Sequence, residues 1–379
     1  MTPSSAVVLH ELGQSLWLDT ISDGLLTSGE LARLVAEGTI YGVTSNPTIF
    51  RGAIGGDRFG YPAAIARLAA EGKTPDEIYE SLACHDIVRT ADVLADAFRR
   101  GTGRDGFVSL EVSPDLADDT AGTVAEARRL WKLVSRPNLL VKVPGTAAGI
   151  PAIETLIAEG ISLNITLLFS RPQYAAVAAA YRRGLERRRA AGGSFEGLHS
   201  VASVFVSRLD TAVDKELEQR AAGSPAERER LLGLRGAAAV ANALDVWEEY
   251  RAQFFGPLFE PLRSQGARPQ WMLWASTGTK NPAYSDVKYV EELAGPDTIN
   301  TAPRETIDAW LDHGRVEGNR LDPRIETARK TRAAFAEAGV SLERHGAKLQ
   351  EDGVASFAQS FREMMDTIRE RSAALAPRR

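Results

Sequence analysis

One lysine stands inside an otherwise apolar run: residues 139–143 are LLVKV, and the lysine is Lys142. Lysine is almost never fully buried without a partner. The chain has 8 lysines among its 45 basic residues, so arginine is its usual choice where charge alone matters. A lysine, unlike an arginine, can lose its proton and attack a carbonyl carbon, and apolar surroundings favour the neutral amine. Lys142 is therefore a candidate Schiff-base nucleophile, with a salt-bridged structural lysine as the alternative.

Further side chains with chemical potential stand at or near the ends of other short apolar runs. Carboxylates can move protons, amides and hydroxyls can hold a hydroxylated substrate, and cations can bind an anionic group. These candidates are Asp19, Ser45, Asn46, Glu111, Asn164, Thr166, Ser203, Arg208, Ser276 and Lys280, with Phe205 beside them. Each one alone is a weak signal. Together they predict one polar site if the ends of the runs meet in space.

Eight short apolar or β-branched runs predict strands, and helical patterns lie between them. The predicted strands are residues 15–19, 42–45, 107–112, 139–143, 162–167, 200–206, 270–275 and 298–301. Several of these runs are continuously apolar, as expected of parallel strands covered on both faces. Strands that alternate with helices predict an α/β fold, here a (β/α)8 TIM barrel. The C-terminal ends of the strands, where the polar candidates stand, form the active site of such a barrel.

Three segments predict where helices begin. The residues Thr27 to Glu30 and Thr123 to Glu126 resemble capping boxes, in which a hydroxyl and a carboxylate satisfy the first backbone N–H groups. Ser170, followed by arginine and proline, predicts the start of a third helix.

The long intervals between predicted strands indicate helical insertions rather than additional domains. They lie at about 51–106 and about 209–268, and a helical tail follows at about 323–379. We therefore expect one barrel domain over residues 1–379. Phe357 and Phe361 share one face of the tail, which leads to the hypothesis that the tail covers the mouth of the site.

Composition excludes several classes of protein. With 45 basic and 50 acidic residues the net charge is −5, so no basic excess predicts nucleic acid or an anionic membrane as a partner. The single cysteine, Cys84, cannot form an internal disulfide or a multi-cysteine zinc site, and its apolar surroundings predict a buried residue. No run reaches the roughly 18 apolar residues of a membrane span, and no secretory signal is visible. We expect a cytoplasmic protein without a metal ion.

Three motifs, taken together, resemble the transaldolase family. They are GVTSNPTIF at 42–50, LVKVP at 140–144 followed by Gly149 and Ile150, and SLNITLLFS at 162–170. Their order and the eight-strand layout extend the resemblance over about the whole chain, and the long inserts resemble the larger bacterial subfamily. The resemblance implies a class I aldolase barrel that moves a dihydroxyacetone unit from sedoheptulose 7-phosphate or fructose 6-phosphate. The implied acceptors are glyceraldehyde 3-phosphate and erythrose 4-phosphate, in the non-oxidative pentose phosphate pathway.

The resemblance also implies roles for the candidates. Lys142 would form the Schiff base, Asp19 would take the proton of the C4 hydroxyl, and Glu111 with Thr166 would handle protons through a held water. The implied substrate-binding residues are Asn46, Asn164, Ser203, Phe205, Arg208, Ser276 and Lys280. Lys280 departs from the family pattern, in which an arginine follows the seventh strand more closely. No metal or organic cofactor is implied, since the iminium itself withdraws electrons.

Three other functions remain open at this point. A fructose 6-phosphate aldolase of the same superfamily would cleave rather than transfer, but such enzymes are shorter and lack the glutamate that Glu111 matches. A non-catalytic barrel that binds sugar phosphates would use Lys142 only to pair with a phosphate. A helical interaction module would rest only on the amphipathic tail. Both a monomer and a homodimer are compatible with the sequence.

Overall fold

Eight parallel strands close into a barrel in which each strand pairs with its neighbours in chain order and β8 pairs with β1. The structure is a computed structural model that describes residues 3–56, 60–101 and 103–374. The strands are β1 (Gln14–Leu18), β2 (Gly42–Val43), β3 (Phe107–Glu111), β4 (Leu139–Pro144), β5 (Leu163–Leu168), β6 (Ser200–Phe205), β7 (Trp271–Ala275) and β8 (Thr298–Ala302). The predicted (β/α)8 TIM barrel is confirmed, and each predicted strand differs from the observed one only at its ends.

Helices surround the barrel and follow its strands. In the described residues they are α1 (Ser5–Leu12), α2 (Asp23–Thr27), α3 (Glu30–Ala36), α4 (Pro47–Gly55), α5 (Tyr61–Ala70), α6 (Pro75–Arg100), α7 (Thr120–Val134), α8 (Gly149–Glu159), α9 (Arg171–Ala190), α10 (Ser207–Gly223), α11 (Arg228–Leu232), α12 (Ala238–Phe254), α13 (Glu260–Arg263), α14 (Lys288–Glu292), α15 (Arg304–His313), α16 (Ile325–Glu337) and α17 (Leu342–Ala374). Both long intervals between strands and the tail are helical, as predicted. Among the described helices none is long and apolar enough to cross a membrane.

The observed helix starts show which capping signals were correct. Helix α9 begins after Ser170 with proline in its first turn, as predicted. Helix α7 begins at Thr120, earlier than the predicted Thr123, because the Asp119 side chain accepts a hydrogen bond from the Gly122 backbone N–H at 3.0 Å. Helix α3 is preceded by Gly29 without a side-chain cap, so the predicted capping box is wrong there.

The core has two parts, one between the strands and the helices and one inside the barrel. The inner part contains Trp17, Phe107, Leu140, Leu273 and Ile299, all buried. Strand residues two positions apart face the same side. A polar side chain placed two residues after one of these apolar residues therefore points into the barrel near its C-terminal end.

Helix α17 lies across the C-terminal end of β5. The Gln350 side-chain amide donates to the backbone carbonyls of Gly145 and Leu167, at 3.0 and 2.9 Å. Gly353 faces Leu167 so closely that an added Cβ would come within 2.9 Å of the leucine side chain. Phe357, one turn further on, is buried and packs with the inner cluster. The long final helix is thus fixed to the strands that border the site.

Candidate active site

Three adjacent strands place their polar residues side by side. Glu111 of β3 is the register partner of Lys142 of β4, and Lys142 is in turn the partner of Asn164 of β5. Register partners in neighbouring strands point to the same face of a sheet. Since Lys142 follows the inward-facing Leu140 by two residues, all three side chains enter the C-terminal end of the barrel.

Lys142 is deeply buried for a lysine, with 4% of its surface exposed. Its Nζ donates to the backbone carbonyl of Ser45 at 3.1 Å and lies 3.6 Å from Oε2 of Glu111. The ring of Phe357 lies on another side, with its centroid 6.0 Å from Nζ. The amine is held by one carbonyl, one carboxylate and one aromatic face, and it lines a cavity of about 320 Å³.

Glu111 carries a strongly perturbed carboxyl group. Burial, opposed by the nearby charge of Lys142 and aided by that of Asp19, raises its pKa to about 7. A general acid or base is most effective when its pKa lies near the working pH. Glu111 can therefore release and recover a proton near neutral pH within reach of the Lys142 amine.

Asp19 stands directly after β1 at the rim of the cavity. One of its carboxylate oxygens accepts a hydrogen bond from the Thr44 hydroxyl at 2.6 Å. Thr44 also lies 2.6 Å from the Thr301 hydroxyl, so strands β1, β2 and β8 fix the carboxylate together. Sequence analysis missed both threonines. Thr44 adjoins the predicted Ser45 and Thr301 ends a predicted strand, but nothing in the chain order shows that they meet.

Asn164 and Thr166 are fully buried beside the cavity rather than in its wall. The Asn164 amide donates to Ser109 at 2.9 Å and accepts from the Ser203 hydroxyl at 2.7 Å. These bonds fix the orientation of the amide. The Thr166 hydroxyl, by contrast, has no hydrogen-bond partner among the described residues. A buried hydroxyl normally finds a partner, and a water molecule would satisfy this one.

Two further cationic side chains, Arg208 and Lys280, line the same cavity. The Arg208 guanidinium stacks on the ring of Phe205, with 5.4 Å between Cζ and the ring centroid. Burial lowers the pKa of Arg208, and the charge of Asp19 opposes that shift. Ser276 and Lys280 lie in the same wall, and Ser276 adopts a left-handed backbone conformation with a φ of 55°. A hydroxyl and two cations facing one space can bind a phosphate group.

A family sequence model described as "Transaldolase/Fructose-6-phosphate aldolase" matches residues 16–368. The chain belongs to this family. A "Transaldolase" of Thiobacillus denitrificans is 49% identical over 95% of the chain and 98% of the relative. A "Transaldolase 1" of Streptomyces coelicolor is 46% identical over 95% and 93%, and a "Transaldolase" of Saccharopolyspora erythraea is 42% identical over 97% and 98%. The resemblance to the transaldolase family is thereby confirmed, as is the expectation of an enzyme of the transaldolase type.

The geometry brings most of the predicted residues of this transaldolase-type site to one cavity. Its walls include Asp19, Asn46, Lys142, Ser203, Phe205, Arg208, Ser276 and Lys280. The other lining residues are the two threonines that sequence analysis missed, together with Thr48, Ile49, Ala275, Gly278, Pro303 and Phe357. Asn46 also caps helix α4 by accepting from the Ile49 backbone N–H at 3.0 Å.

A second cavity of about 270 Å³ adjoins the first and lies under helices α6 and α7. Glu111 lines it, and Asn46 lines both cavities. Cys84 also lines this second cavity and is partly exposed, not fully buried as predicted, because its side of α6 faces the open space. Burial raises the pKa of its thiol to about 11. No group of three or more His, Cys, Asp or Glu within the described ranges is placed to hold a metal ion.

Proposed function

We propose that this protein is a transaldolase that acts through a Schiff base on Lys142. The observation that supports this most directly is the buried Lys142 amine, 3.6 Å from a carboxyl group whose pKa is about 7. An amine in this setting can attack a ketone carbon, and the carboxyl can exchange the protons that the attack requires. The names of the relatives agree with this reaction.

The reaction begins when the neutral Lys142 amine attacks the C2 carbonyl of a ketose phosphate. Protonated Glu111 supplies a proton to the hydroxyl of the resulting carbinolamine, which leaves as water while the nitrogen lone pair forms the iminium. Thr166, whose hydroxyl has no partner among the described residues, would hold a water molecule in this step. The positive iminium then withdraws electrons from the neighbouring carbon bond.

Bond cleavage needs a base on the far side of the substrate. Asp19, held by Thr44 at the rim of the cavity, would accept the proton of the C4 hydroxyl, so that the C3–C4 bond breaks and an aldose phosphate leaves. The remaining three-carbon enamine stays bound to Lys142, with Asn46, Asn164 and Ser203 arranged around it. An acceptor aldose phosphate then reacts by the reverse steps.

The phosphate would bind at Arg208, Ser276 and Lys280. Their cationic and hydroxyl groups line the same cavity as Lys142. The dihydroxyacetone part of the substrate would lie between the bound phosphate and the lysine. We propose fructose 6-phosphate and sedoheptulose 7-phosphate as donors, and glyceraldehyde 3-phosphate and erythrose 4-phosphate as acceptors. The reaction would belong to the non-oxidative pentose phosphate pathway. We further propose a single catalytic domain that works in the cytoplasm.

Borohydride trapping tests the Schiff base. The protein is incubated with fructose 6-phosphate, reduced, digested and analysed by mass spectrometry, and we expect a sugar-derived adduct on Lys142. The variant Lys142→Met should give none, while the matched variant Lys280→Met, which removes the other lysine of the cavity, should keep the adduct. A folded protein that binds the sugar without any adduct would contradict the proposal.

An acceptor-dependence assay separates transfer from cleavage, because the family includes fructose-6-phosphate aldolases as well. With fructose 6-phosphate alone, a transaldolase should release about one equivalent of glyceraldehyde 3-phosphate and then stop. Adding erythrose 4-phosphate should restore turnover. Release of free dihydroxyacetone at the same rate with and without acceptor would establish the aldolase reaction instead. Phe357 beside the buried Lys142 favours transfer, since it restricts access of bulk water to the enamine through the mouth of the substrate cavity.

A further inference from the structure

The second cavity, which adjoins the substrate cavity, extends from solvent to the proton carrier of the proposed reaction. At its outer rim Arg129 forms ion pairs with Glu80 and with Glu126, and the Arg129 side chain is 48% exposed. At its inner end lies Glu111, which is only 9% exposed. Between them the walls are mostly apolar, with Phe50 and Leu130 among the lining residues.

Glu111 lines the second cavity and lies next to the Lys142 amine of the substrate cavity. Its Oε2 lies 3.6 Å from the Lys142 amine and has no hydrogen-bond partner within the described part of the chain. The same side chain lines the second cavity, whereas Lys142 and Arg208 line only the substrate cavity. A carboxyl group with this placement can take a proton from one side and deliver it to the other.

The contents of the second cavity are constrained by its lining. A volume of about 270 Å³ with polar groups at both ends has room for several water molecules. The Tyr79 hydroxyl stands between the ends; burial and the nearby charges, including that of Glu111, raise its pKa, so it stays protonated. Ser45 and Ser113 also line the space. Donors and acceptors are therefore present along a path that is otherwise apolar.

The substrate cavity offers no equivalent route once it is filled. A ketose phosphate would occupy the space between Lys142 and Arg208, and Phe357 closes one side. Schiff-base formation breaks the carbinolamine C–O bond, moves the Glu111 proton onto the leaving hydroxyl and releases one water. Product release reverses these steps: a water molecule attacks the iminium carbon, and the Glu111 carboxylate takes back the proton. Each cycle therefore releases one water beside Glu111 and later consumes one there.

We propose that the second cavity is a water-filled passage through which the water released beside Glu111 leaves, and the water that hydrolyses the iminium enters, while sugar phosphate fills the substrate cavity. The passage opens between α6 and α7, on the helix side of the barrel. This inference rests on the proposed function, because it assigns the passage to the Schiff-base steps.

Cys84 allows the passage to be filled at one known position, because it lines the cavity and is the only cysteine of the chain. Methanethiosulfonates of increasing size, from methyl to benzyl, are attached to the thiol by disulfide exchange, and complete labelling is verified by mass. We expect kcat to fall with the size of the attached group, by about tenfold for benzyl, while KM for both substrates changes less than about twofold. Unchanged kcat at full labelling would overturn the proposal.

Two control proteins separate a filled passage from chemical damage. Cys84→Ala, treated with the same reagents, should keep its activity. In that background Leu133→Cys places the label on the outer face of α7, at a residue that is 46% exposed, and kcat should again be unchanged. An equal loss of kcat in the surface-labelled protein would contradict a role of the cavity itself.

A genetic variant gives an independent filling of the same space. Ala83, beside Cys84 on α6, is 2% exposed and lines the cavity, so Ala83→Leu should lower kcat with little change in KM. If this variant does not fold, the kcat of the labelled protein tests the proposal. Lack of transfer by the unlabelled protein would contradict the proposed function, whereas an active protein indifferent to filling would contradict the passage alone.

A measurement without turnover tests whether the passage stays open. The rate at which Cys84 reacts with methyl methanethiosulfonate is compared before and after borohydride trapping of the sugar on Lys142. We expect the rates to agree within about twofold, since the two cavities share only Asn46 among their lining residues. Complete protection of Cys84 by the trapped sugar would show that the second cavity is part of the substrate site, and would overturn the proposal.

Discussion

The carboxyl of Glu111 must serve the lysine beside it without becoming a permanent ion-pair partner. Its Oε2 lies 3.6 Å from Nζ, too far for a hydrogen bond, while burial raises its pKa to about 7. A closer and better solvated pair would hold both charges and leave no free amine for attack. The separation and the burial together keep the neutral form of Glu111 accessible near neutral pH.

This arrangement predicts a pH-dependent cost in stability. The unfolded glutamate loses its proton near its ordinary pKa of 4.5, and the folded one at about 7, so the free energy of unfolding falls as pH rises between these values. Glu111→Gln removes the effect, and its stability relative to the parent should rise by about 3 kcal/mol between about pH 4 and about pH 8. Urea unfolding of both proteins at both pH values measures this. A difference independent of pH would contradict the raised pKa.

The position of Arg208 predicts that its substitution affects substrate binding more than the chemical steps. Its planar guanidinium stacks on Phe205 at 5.4 Å, which the ammonium of a lysine cannot do in the same way. We expect Arg208→Lys to raise KM for fructose 6-phosphate about tenfold, with a smaller change in kcat. Steady-state kinetics measure both, and Arg33→Lys, at an exposed ion pair of α3, is the control with no expected effect. Equal losses of kcat and kcat/KM would assign Arg208 to the chemical steps.

Individual residues of the site were predictable where their type conflicts with their surroundings. Lys142 interrupts an apolar strand, and such a conflict is visible in the sequence. Thr44 and Thr301 were not found, because threonine is ordinary in strands and their importance comes from a contact between β2 and β8. Asn164 was found, but its two hydrogen bonds to Ser109 and Ser203 depend on side-chain rotamers that spacing does not determine.

Strand β5 and helix α17 are packed and hydrogen-bonded together, so they act as one structural unit. The register between β5 and β6 shifts between Ile165 and Leu168, and Leu167 has a left-handed φ of 61°. That conformation is strained for a leucine. Gln350 of α17 binds the Leu167 carbonyl and the Gly145 carbonyl, which follows the lysine strand. The helix therefore stabilises the distortion next to Thr166.

Removing this clamp should affect both stability and catalysis. Gln350→Leu keeps the size of the side chain but leaves two carbonyls without their donor, at a cost of about 1–2 kcal/mol. We expect a loss of about tenfold in kcat as well, because Thr166 and Lys142 stand on the two strands that the amide joins. Thermal unfolding and kinetics are the measurements.

The control for this clamp lies on the same helix. Gln359 is exposed, and its side-chain hydrogen bonds stay on the surface of the same helix: it donates to Glu363 at 2.7 Å and accepts from Arg362 at 3.3 Å. Gln359→Leu should therefore change neither property. Normal kcat in Gln350→Leu would show that α17 covers the site without positioning its residues.

Elements were more predictable than their ends. Alternation of apolar runs with helical patterns gave all eight strands, because burial on both faces leaves a continuous apolar signature. The start of α7 was wrong by one turn, since Asp119 competes with Thr123 as a cap and the sequence contains both signals. The strain at Leu167 has no local signature, because it arises from the joint packing of β5, β6 and α17.

The whole barrel separates chemistry at one end from stability at the other. The candidate active site lies at the C-terminal ends of the strands, and His199 lies just before β6 at the opposite end. Burial lowers the pKa of His199 to about 4, and the positive charge of Arg268 adds to the shift. Its ring packs 4.8 Å from that of Phe107, between centroids. This imidazole is a neutral part of the core.

His199 predicts acid sensitivity of the fold. The unfolded histidine gains its proton near 6.5 and the folded one at about 4, so stability is lost as pH falls through this range. His199→Gln should remove up to about 3 kcal/mol of this loss and shift acid unfolding to lower pH. Circular dichroism during an acid titration measures the shift. Activity at neutral pH should stay within about twofold, and a large change would contradict the separation of the two ends.

The barrel is narrowest at β2, which has two register pairs with β3 and one with β1. Strand β2 has only two residues, and a single register pair, Leu18 with Val43, joins it to β1. Gly42 allows this contact, because an added Cβ would come within 2.5 Å of the Trp17 indole. When such a barrel opens, it does so at its narrowest junction. The unpaired backbone N–H and C=O groups of β1 and β3 can then form hydrogen bonds with other chains. Aggregation on heating should therefore begin at this junction. A cross-link between β1 and β3 should suppress this aggregation before the cross-link affects any other property of the protein.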